Sequence, residues 1–222
     1  MFFRRPGKRA GLVLLSALLV TSACAQGTVV IMTTETTTTT AVSTLTIVDT
    51  VTLADPYDLS YLIKKDPADI DNSTLPVTPL ERMHVIGGPR VVDINSYRFT
   101  VEGLVGNPMS LSYEEFKALP SEDRVVLLIC PYTFADNPLW TGVPLSKLLA
   151  AAGPKPEATE VILKSLDGFE SPLPISLAPD ILLAFDVDGE PLPPEHGYPL
   201  RAVVKGRIGL YWLRWLKGIE LK

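Results

Sequence analysis

Beyond about residue 81, apolar and polar positions sort into short segments of differing period. Tyr97-Arg98-Phe99-Thr100-Val101-Glu102-Gly103 alternates and ends in glycine, which predicts a strand with one buried face. Ser112-Tyr113-Glu114-Glu115 is a capping box, and the short helix it starts ends before Pro120. The unbroken apolar run from Val125 to Cys130 predicts a buried strand. Pro144 opens a helix over Leu145–Ala152, and Gly153 stops it. Val161–Ser165 and Ile181–Val187 read as strands, with turns at Asp167-Gly168 and Asp188-Gly189. Leu200–Lys205 and Gly218–Leu221 complete the set. Strands interleaved with short helices and long loops predict an α+β domain with a mixed sheet, not regular βαβ repeats.

Upstream the pattern changes twice. Residues 55–80 carry Pro56, Pro67, Pro76 and Pro79 and read as an irregular arm. Residues 27–54 are dominated by threonine. That stretch reads as a low-complexity extended stalk, although Thr46–Thr52 also alternates like a strand. Ahead of it, Arg4, Arg5, Lys8 and Arg9 precede the apolar run Gly11–Val20 and the small residues Ser22-Ala23-Cys24-Ala25. This is the pattern of an export signal over residues 1–25, and the run is short for a membrane span. A retained anchor helix is the competing reading. Ala23-Cys24-Ala25 fits cleavage after Ala25. Val20-Thr21-Ser22-Ala23-Cys24 fits a bacterial lipobox with Cys24 lipidated, which would tether the chain to a membrane. Arg4-Arg5 suggests twin-arginine export. The expected organisation is thus a leader at 1–25, a stalk and arm at 26–79, and a domain at 80–222.

Charge and cysteine content narrow the function. The net charge is −5, and the leader holds basic residues but no acidic one, so the remainder is more acidic still. Such a chain does not suit nucleic acid, whose phosphates need clustered Lys and Arg. Past the leader Cys130 is the sole cysteine, which excludes an intrachain disulfide in the domain. Its thiol serves either packing or metal ligation. Two histidines and one cysteine without metal-type spacing do not make a zinc site.

The surroundings of Cys130 carry a resemblance. It is followed by Pro131-Tyr132-Thr133-Phe134-Ala135-Asp136-Asn137-Pro138-Leu139 and then Trp140-Thr141-Gly142-Val143-Pro144-Leu145. A second stretch, Gly189-Glu190-Pro191-Leu192-Pro193-Pro194-Glu195-His196-Gly197-Tyr198-Pro199-Leu200-Arg201, resembles G-x-x-L-P-x-x-x-G-x-P-x-R. A third, Lys205-Gly206-Arg207-Ile208-Gly209-Leu210-Tyr211-Trp212-Leu213-Arg214-Trp215, resembles P-G-x-x-G-x-K-x-x-K-W. All three are segments of the sulfite-oxidase-type molybdopterin-binding domain. The resemblance implies Mo-molybdopterin as cofactor and Cys130 as the protein ligand to molybdenum, a soft metal suited to thiolate. It implies that Ser165, His196, Arg201, Arg207 and Arg214 bind the cofactor. Arg90 and Arg207 are also candidates for an anionic substrate. Two departures stand out. Tyr211 replaces the first lysine of the third segment, and Ile86-Gly87-Gly88-Pro89-Arg90 stands where sulfite oxidases carry R-N-H.

The expected function is therefore an exported molybdopterin-dependent oxidoreductase of the oxo-transfer type acting on a small molecule. With no C-x-x-C-H haem motif, it would exchange electrons with a separate partner. The alternative is a cofactor-free binding or scaffold lipoprotein that retains the fold, for which the two departures speak. The intact Trp-x-Gly-Val-Pro-Leu beside Cys130 speaks against it. The threonine-rich stalk alone suggests a third reading, a surface adhesin.

Overall fold

The computed structural model describes residues 17–22, 28–34, 46–52 and 54–222. The chain divides into two compact units, Met1–Pro56 and Tyr57–Lys222. The described part of the first is an antiparallel sheet of β1 (Ala17–Ser22), β2 (Thr28–Thr34) and β3 (Thr46–Thr52). The alternating Thr46–Thr52 segment is thus a strand. Arg4, Arg5 and Cys24 lie outside the described residues.

The second unit is built on two sheets. In chain order its elements begin with β4 (Phe99–Gly103), β5 (Met109–Leu111), α1 (Tyr113–Lys117) and β6 (Glu122–Val125). Then come β7 (Leu128–Cys130), β8 (Phe134–Asp136), β9 (Leu139–Pro144) and α2 (Leu145–Ala152). The remainder is β10 (Glu160–Ser165), β11 (Glu170–Pro174), β12 (Ile181–Val187), β13 (Glu190–Pro191), β14 (Arg201–Val204) and β15 (Leu216–Leu221). One sheet runs β11-β10-β15-β4-β5, with β15 and β4 parallel and the other pairs antiparallel. The other runs β13-β12-β9-β6 with β14 also on β12, and β7 and β8 form a separate hairpin. This is the mixed-sheet α+β fold that the segment pattern predicts. Among the described residues no helix is long and apolar enough to cross a membrane.

Local chemistry accounts for the element ends. At α1 the Ser112 hydroxyl accepts from the Glu115 amide at 3.3 Å, and the Glu115 carboxylate accepts from the Ser112 amide at 2.8 Å. Gly153 ends α2 at φ +64°, a left-handed cap that favours glycine. Trp-x-Gly-Val-Pro-Leu has a packing reason: a Cβ on Gly142 would lie 2.4 Å from the Leu183 carbonyl oxygen of β12.

The structure corrects one expectation. Val125–Cys130 is not one strand. Val125 pairs with Leu139 in the second sheet, while Leu128–Cys130 pairs with β8 in the hairpin. The run is apolar throughout because its two faces meet different cores. Val126 and Leu128 join the main core. Leu127 and Ile129 join a second cluster with Ala135 and with Leu59 and Leu62 of the proline-rich arm. That arm is packed, not loose. Asn137, wholly buried, accepts from Asn72 Nδ2 at 2.9 Å and donates its backbone amide to Thr78 Oγ1 at 2.9 Å. The Tyr132 amide donates to the Ile63 carbonyl at 3.2 Å. The arm therefore clamps the hairpin whose first strand ends in Cys130.

Candidate functional site

Cys130 is half-buried at the end of β7, facing Phe134 across the hairpin. The turn between them is tight: the Thr133 amide donates to the Cys130 carbonyl at 3.0 Å, and Tyr132 adopts φ +61°. The loop carrying Gly209 lies directly against this strand. A Cβ at Gly209 would be 3.2 Å from Leu128 Cδ1 and 3.4 Å from the Ile129 carbonyl oxygen. Glycine thus lets the third motif approach the thiol.

These segments enclose a cavity of about 320 Å³. Cys130, His84, Glu195, His196, Arg201 and Arg214 contribute its polar groups. Leu128, Phe134 and Trp212 are buried apolar residues of its wall, and Val85, Ile86 and Leu210 are exposed ones at its rim.

The cationic side of the cavity is unusual in its burial. Arg201 is 7% exposed at the start of β14. Its guanidinium lies 5.1 Å from the Trp140 ring centroid and 6.0 Å from that of Trp212. Nη1 donates to the His196 carbonyl at 3.1 Å, and Nε has no partner among the described residues. Burial and then Arg214 push its pKa down to about 9, against the pull of Asp136. Arginine still carries its charge at neutral pH, so a positive group stays buried with no carboxylate among the described residues hydrogen-bonded to it. Arg214 stacks at 4.2 Å on Trp215 and donates to the Glu195 carbonyl at 2.8 Å. Burial lowers its pKa, with Asp167 opposing. His196, 4% exposed, is pushed down to about 4, first by burial and then by Arg201. It is therefore a neutral imidazole beside two guanidinium groups.

The structure brings Cys130, His196, Arg201 and Arg214 into one cavity and leaves other expected site residues outside it. Ser165 is buried behind the site, where its hydroxyl donates to the Arg214 carbonyl at 2.6 Å. It supports Arg214 and does not line the cavity. Arg207 and Tyr211 line a neighbouring cleft with Lys64 and Lys65. The Tyr211 substitution therefore removes no charge from the Cys130 cavity. Arg90 lines a groove along the first sheet, with its guanidinium 5.9 Å from the Trp215 ring centroid.

Sequence reasoning missed His84 and Asp136. The sequence pattern puts the R-N-H position at Ile86–Arg90, whereas Arg82-Met83-His84 keeps the first and third residues of that motif four positions earlier. The available signal was the scarcity of histidine: the chain has two, and both line this cavity. Among the described residues, no three His, Cys, Asp or Glu side chains cluster as an ion site. A metal here would rest on Cys130 together with ligands from a cofactor.

Comparison with known proteins agrees with this geometry. The family model for the oxidoreductase molybdopterin binding domain matches residues 86–222. An uncharacterized oxidoreductase of Bacillus subtilis, YuiH, is 37% identical over 142 residues, covering 62% of this chain and 71% of that protein. The protein-methionine-sulfoxide reductase catalytic subunit MsrP of Gluconobacter oxydans is 31% identical over 141 residues, covering 54% of this chain and 45% of that protein. Among solved structures, the sulfane dehydrogenase SoxCD of Paracoccus pantotrophus aligns with a TM-score of 0.57 at 27% identity, over 70% of this chain and 45% of that one. The chain thus spans less than half the length of the latter two. The matched stretch covers more than half of the chain and holds Cys130, His196, Arg201 and Arg214, and the chain belongs to the oxidoreductase molybdopterin binding domain family, whose cofactor is Mo-molybdopterin.

Proposed function

We propose that this chain is an oxo-transfer oxidoreductase that binds Mo-molybdopterin in the Cys130 cavity. Cys130 is the protein ligand to molybdenum, and His196, Arg201 and Arg214 hold the pterin and its phosphate. One observation carries this reading: Arg201 is buried against two tryptophans beside Arg214 and His196, with Nε unpartnered among the described residues. Asp136 is the carboxylate that pulls on it, but both its oxygens are engaged by His84, and a buried charge so incompletely paired costs several kcal/mol. A phosphate dianion would offset that burial and occupy the free donor. A cofactor-free scaffold would have no use for such a cluster. When bound, the cofactor supplies a metal that changes oxidation state as an oxygen atom moves to or from the substrate. The protein's share is ligation and orientation. The hairpin and arm fix the thiol, Gly209 lets the loop close on it, and Phe134, Leu128 and Trp212 exclude water from the site's inner wall.

The leader pattern at 1–25 and the threonine-rich stretch after it support export to the cell envelope, with Cys24 as the lipidated residue. The absence of a C-x-x-C-H haem motif supports a separate electron-transfer partner. The test is production in a host that makes molybdopterin, followed by elemental analysis. Molybdenum should accompany the parent protein and be lost in Cys130→Ser without loss of fold. A parent free of molybdenum and pterin would overturn the reading in favour of the scaffold.

A further inference from the structure

Of the two histidines in the cavity, only His84 has a carboxylate behind it. Its backbone N–H donates to Asp136 Oδ2 at 2.9 Å, and its ring Nδ1 lies 2.8 Å from Asp136 Oδ1. Asp136 is 1% exposed, and its carboxyl pKa is raised by burial against the opposing pull of the two His84 contacts. The imidazole lies flat on Phe134, with centroids 4.8 Å apart and planes at 11°. Phe134 and Asp136 are two residues apart on β8, opposite Cys130 and Leu128. The ring is thus seated on the same hairpin as the thiol. A carboxylate acceptor at Nδ1 selects the tautomer with hydrogen there and leaves Nε2 able to accept a proton. Nε2 has no hydrogen bond within the described residues, and the side chain is 56% exposed. The imidazole therefore borders both the cavity and water.

The other ionisable groups around the cavity are less suited to moving protons. His196 is buried and held neutral, Arg201 and Arg214 keep their protons, and among the described residues no hydrogen bond orients the Glu195 carboxylate. We propose that His84, oriented by Asp136, is the proton-transfer residue of this site, carrying protons between solvent and the oxygen atom exchanged with substrate. The inference rests on the oxo-transfer reading above. In the reducing direction X=O, two electrons and two protons give X and water. The electron-transfer partner supplies the electrons and solvent the protons, one at a time through Nε2. In the oxidising direction water supplies the oxygen, both protons leave by the same route, and the partner accepts the electrons. Asp136 is a positioning residue in this scheme.

The test uses protein from the molybdopterin-making host, with molybdenum content measured first. Reduction of the bound metal by dithionite is then followed optically, because uptake of electrons at an oxo-transfer centre draws in protons. Loaded His84→Gly should be slower than the parent by about 10²-fold, at the lower end of what positioned acid–base groups contribute, and added imidazole should restore part of the rate. Nitrogen-15 spectra, simplified by the presence of two histidines, should show the Nδ1–H tautomer at His84 in the parent and its loss in Asp136→Asn. Parent-like reduction in loaded His84→Gly, or slow reduction that imidazole does not restore, overturns the inference while the cofactor reading stands. Loss of molybdenum from both His84→Gly and His84→Gln would assign the residue to holding the cofactor and also overturn it. A parent lacking molybdenum sinks the reading underneath.

Discussion

Arg201 is the residue at which stability and function pull apart. Its buried, incompletely bonded guanidinium should destabilise the cofactor-free protein and favour the loaded one. Arg201→Met should therefore leave the melting temperature of the cofactor-free protein unchanged or raise it. It should also weaken cofactor retention by roughly 10- to 150-fold, the equivalent of the 1.5–3 kcal/mol of a charged hydrogen bond. A variant that melts earlier and keeps full molybdenum would make Arg201 a structural residue. His196 gives a second test. Its folded pKa of about 4 lies below the ordinary 6.5, so the unfolded chain binds a proton that the folded one refuses. That stabilisation is fully present above pH 6.5 and is lost as the pH falls toward 4, with a ceiling on the order of 3 kcal/mol. In urea unfolding, the stability of the cofactor-free parent relative to His196→Gln should fall over that window. The difference isolates His196 from Asp136, whose raised carboxyl acts in the opposite sense.

At the scale of elements, two contacts decide whether the site forms. The first is β9 against β12. Because a Cβ at Gly142 would sit 2.4 Å from one backbone atom and 2.6 Å from another, Gly142→Ala must part the strands. A loss of about 1–3 kcal/mol is expected in denaturant midpoints, as for other overpacked cores. The second is the arm against the Cys130 hairpin. Leu62 is 3% exposed in the small cluster that includes Ile129 and Ala135. Leu62→Ala should cost about 2–5 kcal/mol locally and speed hydrogen exchange in residues 128–136 more than in β10 or β15. Uniform exchange across the molecule would show that the arm does not specifically hold the hairpin. The apolar run at 125–130 hid this arrangement, because a strand covered on both faces by one core and a segment shared between two cores have the same composition.

At the scale of the whole molecule, the cavity draws residues from positions 84 to 214 and exists only once the chain is folded. A protein that acquires its cofactor before export must then cross the membrane folded. If residues 1–25 are an export leader, replacing Arg4 and Arg5 with lysine keeps its charge and removes the arginine pair. Twin-arginine export should stop, whereas general secretion should continue. Normal export of the double-lysine variant, measured by fractionation, would mean that the chain travels unfolded and would count against loading before export.

Short-range chemistry was legible in the sequence. The Ser112–Glu115 capping box, the Gly153 stop of α2, the Asp167-Gly168 and Asp188-Gly189 turns and the lone domain thiol Cys130 each depend on a few adjacent residues. So did the grouping of His196 and Arg201, five positions apart on one loop and strand. What tertiary structure alone decided is which distant side chains share a cavity. It brought His84, just past the end of the arm, onto Asp136 and Phe134 of the hairpin. It turned Arg207 and Tyr211 into a different cleft from Arg214, although only two residues separate Tyr211 from Arg214. The physical reason is direction: a motif fixes which residues are near in the chain, while packing fixes where each side chain points and what remains to neutralise it.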